Sequence, residues 1–382
     1  MKPNSNELLK DVLKCSRCGS CQYFCPSYSA TKMETHVARG RNQLIKHGIK
    51  DPASFNDTLA TRINQCLLCG NCTANCPSGV LPDENVKKAR EACIEQLGIQ
   101  KVLGSVSEYI DSVGNITGDK RENRLLWFEN MEPGSVRVNE KAEYIYFTGC
   151  VPALYPSSYS IPQEFAKLMN KAGLDWTVLG ANETCCGHPL ILGGLKDQAI
   201  KIMQQNVKDI AATGAKTLVT TCPSCYHSWK KVYPEYVKDM PAIEVLHSTQ
   251  LLAKLVKDGK LKLKETNTVV TYHDSCDLGR RSGIYNEPRE VISAVPGVTL
   301  KEMKFNRAGS FCCGGGGNLE MNDPELSGKV ASQKVDLAVK TGAETVVTAC
   351  QQCKRTIAGG VRAKRAKIKV MDISEFLMGA VE

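Results

Sequence analysis

The segment TGAKTLVTTCPSC at residues 213–225 recurs as TGAETVVTACQQC at residues 341–353. In both copies a glycine turn precedes a short run of threonine, valine and leucine, and two cysteines separated by two residues follow. A short apolar, β-branched run next to a turn predicts a buried strand. Two matching segments at a fixed offset predict two copies of one structural unit.

Five cysteines recur in each copy at offsets of 126 to 128 residues. They are Cys150, Cys185, Cys186, Cys222 and Cys225, and then Cys276, Cys312, Cys313, Cys350 and Cys353. Around them we expect strands at 144–148, 176–179, 218–221, 269–272, 299–304 and 345–349, and helices at 162–172, 195–212, 286–294 and 326–340. This alternation predicts α/β units whose parallel strands carry the cysteines at their carboxyl ends.

Two tighter cysteine runs precede the repeat, and each has the form CxxCxxCxxxCP. The runs are Cys15, Cys18, Cys21 and Cys25, and then Cys66, Cys69, Cys72 and Cys76. This is the signature of bacterial two-cluster ferredoxins, in which the fourth cysteine of each run ligates the other cluster. We therefore expect one cubane [4Fe-4S] cluster on Cys15, Cys18, Cys21 and Cys76, and a second on Cys66, Cys69, Cys72 and Cys25. A pair of zinc ribbons is the alternative, which the spacing and the two Cys-Pro endings disfavour.

The cysteine patterns divide the chain into four parts. We expect a helical ferredoxin-type domain at 1–99, with helices at 6–14, 33–47 and 84–97, and a connector at 100–140. Two pseudo-symmetric, Rossmann-like α/β units should follow at 141–265 and 266–382. The predicted fold class is therefore α/β with a helical two-cluster domain in front.

The composition favours a redox protein. The chain has 382 residues, 19 cysteines, a net charge of +9, 42% hydrophobic residues and 23% charged residues, which excludes wholesale disorder. No apolar signal region or long apolar stretch is present, so we expect a cytoplasmic protein without a membrane span. In a reducing compartment, dense cysteines indicate metal or redox chemistry. The basic charge is mild, and no basic–aromatic stripe suggests a nucleic-acid partner.

Glycines follow the paired cysteines. Gly187, Gly314 and Gly315 would let the backbone approach a cofactor closely and donate amides to cluster sulfurs. The tract at 314–317 lacks the Lys-Ser/Thr ending of a phosphate-binding loop, so phosphate binding is a weak interpretation. A flexible turn is the other alternative.

Several charged or titratable residues adjoin the motifs. His188 and His273 are candidate proton donors, with a purely structural role equally compatible. Arg280 and Arg281 could hold an anionic substrate group or form a surface salt bridge.

Other residues have plainer interpretations. Arg39 and Arg41 fit a solvated helix face better than a cation beside a cluster. The cationic run 354–369 fits a solvated helix face better than a docking site, and Cys93 fits a buried small hydrophobe.

The repeat resembles the CCG domain of heterodisulfide reductase. The whole arrangement resembles the D subunit of that enzyme, equivalent to fused C and B subunits. The segments YHDSCDLGRRSGIYNEPRE at 272–290, SFCCGGGG at 310–317 and TCPSC at 221–225 carry the resemblance. It implies that each CCG motif binds a noncubane [4Fe-4S] cluster through five cysteines, with a disulfide reduced between the two clusters.

The resemblance also implies partners. A catalytic subunit would need an electron donor, which is a flavoprotein or a membrane cytochrome b. It would act in a hetero-oligomeric complex, and a cytochrome partner would bring it to the membrane. Its substrate would be a small anionic disulfide such as CoM-S-S-CoB. The alternative is an electron-transfer subunit with no substrate of its own, as in hydroxyacid oxidase, sulfur-metabolism or benzoyl-CoA reductase complexes.

Overall fold

The computed structural model describes residues 4–382, and its N-terminal part is helical. The helices are α1 Asn4–Leu13, α2 Ser20–Phe24, α3 Pro26–Thr31, α4 Ala38–Lys50, α5 Asp57–Asn64, α6 Asn71–Ala74 and α7 Pro82–Leu97. Apolar residues such as Leu8, Ile45, Ile63 and Val86 face inward and form one core. The short helices α2 and α6 each follow a cysteine loop, so the core helices support the loops.

The predicted connector forms two helical pieces. The first is α8, Lys101–Val113, and the second is a 3₁₀ helix at Arg121–Phe128. Val106, Ile110 and Trp127 from these pieces are buried in the core of the α/β region. The connector is therefore packed as part of the α/β body, where it brings polar side chains close to the cysteines.

The first α/β unit has four parallel strands in the order β2-β1-β3-β4. Its strands are β1 Tyr144–Tyr146, β2 Trp176–Thr177, β3 Thr217–Thr220 and β4 Glu244–His247. Its helices are α9 Cys150–Leu154, α10 Ser160–Lys171, α11 His188–Gly193, α12 Lys196–Thr213, α13 Pro223–His227, α14 Tyr233–Tyr236 and α15 Ser248–Lys257. A π-helical turn at Ser228–Val232 joins α13 to α14.

The second unit repeats this sheet with the order β6-β5-β7-β8. Its strands are β5 Thr268–His273, β6 Val298–Leu300, β7 Thr345–Thr348 and β8 Lys369–Asp372. Its helices are α16 Glu287–Ser293, α17 Leu319–Asn322, α18 Pro324–Val339, α19 Gln351–Lys364 and α20 Ile373–Gly379. The two parallel sheets and the helical front domain confirm the predicted fold class.

The two units interlock through their last helices. Helix α15 of the first unit packs on α16 of the second, and α20 of the second packs on α10 of the first. An antiparallel bridge joins Leu263 to Val381 at the same place. Because each unit covers an apolar helix face of the other, the two cysteine sites are held in a fixed relative position.

Two edge strands were not predicted, and one expected helix is shorter. The strands β4 and β8 lie at sheet edges, where only part of each strand is buried, so their apolar pattern is weak. The expected helix face over 354–369 is wrong beyond Lys364, because Arg365 has a φ of 50° and ends α19. Ile368 is then buried ahead of β8.

The ferredoxin-type domain packs against the second unit. Leu67 and Cys69 share an apolar cluster with Cys276, Cys312 and residues of α18. Among the described residues, no helix is long and apolar enough to cross a bilayer.

Candidate functional site

Three cysteines of the first unit, Cys150, Cys222 and Cys225, follow the carboxyl ends of its central strands. Strand β1 is followed by Gly149 and by Cys150, which begins α9, and β3 is followed by Cys222, which precedes α13. Gly149 has a φ of 82°, and a Cβ there would lie 3.2 Å from the Sγ of Cys225. Only glycine lets the backbone pass this close to the thiol.

In each unit the five thiols lie next to one another in one continuous chain. The first chain runs Cys150, Cys185, Cys186, Cys225 and Cys222. The second runs Cys276, Cys312, Cys313, Cys353 and Cys350. The order along the chain is the same in both units, so the repeat in sequence is a repeat of one thiol geometry.

Each chain favours thiolate at its centre. Hydrogen bonds from Cys185 and Cys225 hold the pKa of Cys186 well below its usual range. Hydrogen bonds from Cys312 and Cys353 likewise lower the pKa of Cys313 to about 5. All nineteen cysteines are free rather than paired as disulfides. Five converging thiols that are not oxidised, with a central one that ionises readily, are a donor set that fits an iron–sulfur cluster.

A cavity of about 160 Å³ separates the two thiol chains. We call it the cleft, and nine of the ten repeat cysteines line it, all except Cys312. Gly315 also lines the cleft, and its amide donates to the Sγ of Cys313 at 3.5 Å. The two sites therefore face each other across a space large enough for a small molecule.

A polar pair from the two units lies inside the cleft. The Nε2 of His188 lies 3.5 Å from a carboxylate oxygen of Asp277, which also accepts from Ser224 at 2.6 Å. Burial raises the pKa of Asp277, but His188 and Arg281 outweigh burial and hold that pKa well below its usual range. His188 comes from the first unit and Asp277 from the second, so this pair forms only when the units dock.

Arg355 lies at the mouth of the cleft, and the sequence did not single it out. Its guanidinium lies 4.1 Å from the ring centroid of Tyr155 and donates to the Oε1 of Gln352 at 3.0 Å. Its contacts to Glu320 are longer, at 3.4 Å. The signal in the sequence is its position two residues after Cys353, and that position alone also fits a solvated helix face.

Arg280 and Arg281 do not line the cleft, and of their two expected roles Arg281 has the ion pair, with Asp83. Arg280 donates to the carbonyl of Cys69 at 2.7 Å and to that of Ser310 at 2.6 Å. Arg281 donates to the carbonyl of Leu68 and to Asp83. Both guanidinium groups are occupied by contacts between the ferredoxin-type domain and the second unit.

His273 is buried behind the thiols of the second unit and does not line the cleft. Its side chain is 1% exposed, and burial lowers its pKa well below the usual range. One of its ring nitrogens and the Sγ atoms of Cys313 and Cys353 all lie within 4.8 Å of one another. This position does not suit a proton donor to a molecule in the cleft.

A buried cation contacts the first unit's thiols. Arg124, from the connector, donates to Glu183 at 2.8 Å and to the Sγ of Cys150 at 3.1 Å. Glu183 in turn accepts the amides of Thr148 and Gly149. Both charged side chains are 2% exposed, so they form a fully buried ion pair beside the thiol chain. No signal in the sequence marks this pair, because Arg124 lies outside every motif.

The ferredoxin-type cysteines gather in two groups. One small cavity is lined by Cys15, Cys18, Cys21, Cys72 and Cys76. A second is lined by Cys25, Cys66, Cys69 and Cys72. The fourth cysteine of each run thus lies with the first three of the other run, as in the ligand sets derived from the spacing.

Three residues of the ferredoxin-type domain, Arg41, Arg39 and Cys93, were expected to have structural rather than functional roles. Arg41 is 2% exposed and donates to the carbonyls of His36, Arg62 and Gln65, so the solvated-face interpretation is wrong for it. Arg39 is half-buried and pairs with Glu34 at 2.6 Å. Cys93 is buried in the helical core, and burial raises its pKa to about 12.

The tract at 314–317 contacts the loop of the second ferredoxin-type group. Gly317 has a φ of 62°, and a Cβ there would lie 2.5 Å from the carbonyl oxygen of Cys66. A Cβ at Gly316 would lie 2.8 Å from the carbonyl oxygen of Leu67. The glycines therefore bring the second unit and the ferredoxin-type domain into backbone contact, which neither a flexible turn nor a phosphate loop would explain.

Comparison with known proteins agrees with both cysteine patterns. Residues 144–230 and 270–358 match the family model of the cysteine-rich CCG domain, and residues 11–80 match that of a 4Fe-4S dicluster domain. A hypothetical protein from Helicobacter pylori has a similar structure, with a TM-score of 0.62, 11% identity, and coverage of 100% of this chain and 73% of that chain. At that identity it shows the fold alone.

Curated relatives extend over nearly the whole chain. The EtfAB:quinone oxidoreductase of Syntrophomonas wolfei is 28% identical over 98% of this chain and 59% of its own length. The D subunit of the dihydromethanophenazine:CoB–CoM heterodisulfide reductase of Methanosarcina acetivorans is 31% identical over 96% of this chain and 93% of its own length. The chain therefore belongs to the family of heterodisulfide reductase D subunits, which are iron–sulfur oxidoreductase components.

Proposed function

We propose that this chain carries electrons from its ferredoxin-type domain to the cleft, where a small disulfide is reduced to two thiols. The ferredoxin-type groups would hold two cubane [4Fe-4S] clusters, and the two five-cysteine chains would hold two noncubane [4Fe-4S] clusters. When bound, these clusters supply and accept single electrons. The observation that carries the proposal is the cleft itself, lined by nine thiols from two facing sites.

The positions of the cysteines order the sites from the surface inward. Among the nineteen cysteines only Cys18 is exposed. Cys69, in the second ferredoxin-type group, shares an apolar cluster with Cys276 and Cys312. Arg280 lies between them, where burial opposes its charge but the thiolates outweigh burial and raise its pKa. This order supports electron entry on the Cys18 side and delivery to the second unit before the first.

The cleft supplies the remaining needs of a disulfide reduction. The overall change takes RS–SR′, two electrons and two protons to RSH and R′SH. His188 is the histidine that lines the cleft and, with Asp277 as its partner, suits proton transfer to a departing sulfur. Arg355 at the mouth suits a carboxylate, phosphate or sulfonate on the substrate. The cleft volume fits a small anionic disulfide, and the heterodisulfide reductase relatives are named for CoB–CoM heterodisulfide.

The donor would be a separate protein. We propose a flavoprotein or a membrane cytochrome b that contacts the Cys18 side of the ferredoxin-type domain in a hetero-oligomeric complex. The heterodisulfide reductase relatives are each named as one subunit of a larger enzyme, which supports this arrangement.

A second candidate function is electron transfer without a substrate. The EtfAB:quinone oxidoreductase contains a region similar to this whole chain, and its name describes electron passage to a quinone. On this alternative the cleft would hold clusters but bind no disulfide.

Whether the chain reduces a disulfide distinguishes the two candidate functions. The full chain is prepared anaerobically, its iron and sulfide are measured, and reduced methyl viologen is supplied as donor with a series of anionic mixed and symmetric disulfides. Four clusters require about 16 iron per chain. We expect viologen oxidation that depends on the disulfide and falls at least ~10-fold in His188→Gln, since positioned acids and bases contribute about 10²–10⁴-fold. A fully loaded chain that reduces no disulfide would establish the second candidate, and zinc in place of iron would exclude both.

A further inference from the structure

His273 and Phe147 occupy equivalent positions in the two units. In the first sheet Tyr146 pairs with Val219, and in the second Tyr272 pairs with Val347. The residue after each tyrosine, Phe147 or His273, therefore stands at the same place at the end of the central strand. Both side chains are buried, so the two units differ at this position in the chemistry of the side chain and not in its exposure.

The ring nitrogens of His273 have no hydrogen-bond partner among the described residues. An imidazole carries at least one N–H in either protonation state, and leaving a buried donor unpaired is costly. The carboxylate of the adjacent residue, Asp274, is engaged by Arg289 at 2.8 and 2.9 Å and by the amide of Arg307 at 2.6 Å. The nearby side chain of Lys334, as an ammonium, has only donors and cannot accept.

Two sulfurs of the second unit lie close to this imidazole and can accept. The Sγ atoms of Cys313 and Cys353 and a nitrogen of His273 all lie within 4.8 Å of one another. The unit already supplies five thiols, so the imidazole is not needed to complete a ligand set. Its N–H is placed to meet the charge of the ligand sulfurs.

We propose that His273 donates a hydrogen bond to a ligand sulfur of the second unit's cluster, a bond that the first unit lacks because Phe147 stands there. This inference rests on the proposed clusters. The first unit instead has Arg124 on the Sγ of Cys150, so the two clusters facing the cleft differ in which sulfur receives a donor. Hydrogen bonds to cluster sulfurs stabilise the reduced form, so His273 raises the midpoint potential of the second unit's cluster.

The test uses the full, cluster-loaded chain with natural-abundance or ¹⁵N-labelled histidine, and pulsed EPR of the reduced clusters. We expect a weak histidine nitrogen coupling that changes with the label and is lost in His273→Phe, which copies the first unit. His273→Phe should also lower one midpoint potential, whereas His273→Gln, which retains N–H donors, should largely restore it. His47→Phe, at a histidine of α4 in the ferredoxin-type domain, is the matched control and should change neither signal.

Three results would overturn the inference: no effect of the label, a coupling as strong as that of an iron-bound imidazole, or an unchanged potential once the coupling is lost. If His273→Phe does not retain its clusters, the labelled wild type and His273→Gln decide. If the labelled signal is seen but no disulfide is reduced, this inference stands and the proposed function fails. If a disulfide is reduced but no labelled signal is seen, the proposed function stands and this inference fails.

Discussion

Arg124 and Glu183 form the buried ion pair beside Cys150, and Arg124 also donates to the Sγ of that cysteine. Removing one member of a buried pair leaves the other uncompensated. We expect Arg124→Gln to lower the free energy of unfolding by about 3–5 kcal/mol. Lys167→Gln, which breaks an exposed pair with Glu164 in the same unit, should cost no more than about 0.5 kcal/mol. Denaturant unfolding under anaerobic conditions measures both, and equal effects would contradict the buried-pair account.

Arg355 gives a prediction about substrate binding. A charge-assisted hydrogen bond is worth about 1.5–3 kcal/mol, so Arg355→Gln should raise KM for an anionic disulfide about 10-fold or more and leave kcat nearly unchanged. Arg362→Gln, farther along α19 and outside the cleft, is the control. A fall in kcat at constant KM would instead place Arg355 in the chemical step.

The ligand cysteines within the motifs could be predicted from the sequence, but the contacts they make with residues distant in the chain could not. The spacing of the cysteines indicates ligand sets because covalent neighbours along a loop stay close in space. Arg280 contacts the carbonyl of Cys69 across 211 residues of chain, and local patterns carry no information on such a contact. The same holds for Arg124, which reaches Cys150 from the connector.

At the scale of elements, the loop at 314–317 brings the backbone of the second unit into contact with that of the ferredoxin-type domain. Gly317→Ala would place a methyl group 2.5 Å from the carbonyl of Cys66 and force a left-handed φ on alanine. The conformational penalty alone is about 1–2 kcal/mol, and the overlap adds to it, so we expect a lower Tm and loss of iron from the second ferredoxin-type group. Gly328→Ala, in the open interior of α18, should gain up to about 1 kcal/mol. An unchanged Tm in Gly317→Ala would contradict this prediction, because it would mean that the backbone around Cys66 moves away from the new methyl group at little cost.

The N-terminus of α20 gives a pH-dependent prediction. Burial raises the pKa of Asp372, the N-cap residue of α20, to about 7. Its folded pKa therefore exceeds its unfolded pKa, so its contribution to stability is present below about pH 4 and is lost as the pH rises through 7. A shift of about 3 pH units corresponds to the order of 4 kcal/mol. Asp372→Asn keeps a capping side chain and should flatten the dependence of Tm on pH between about 4 and 8. An identical slope in both proteins would contradict the buried-carboxyl account.

The strands β3 and β7 were easier to predict than the last strand of each sheet, β4 and β8. The strands β3 and β7 are buried along their whole length, and their sequences TLVT and TVVT contain no charged residue and are rich in β-branched residues. The edge strands β4 and β8 are only partly buried, and β8 begins with Lys369. Their backbone pairing, rather than a strong apolar pattern, makes them strands.

At the scale of the molecule, the two sets of repeat cysteines form one site only because the two α/β units pack against each other. Sequence periodicity showed two units but not that their thiols would face each other, because that depends on the interlocked helices α10, α15, α16 and α20. The pairing of His188 with Asp277 across the units has the same origin. The ferredoxin-type domain packs on the second unit through the glycine tract and Arg280.

The central claim is that the cleft is a disulfide site between two clusters. EPR spectra of the anaerobic, fully loaded chain during redox titration, with and without candidate anionic thiols, test it most directly. The account predicts that one thiol class changes a cluster signal, and that Arg355→Gln weakens the change while Arg362→Gln does not. Spectra that stay the same with every thiol, in a chain shown to contain about 16 iron, would contradict it.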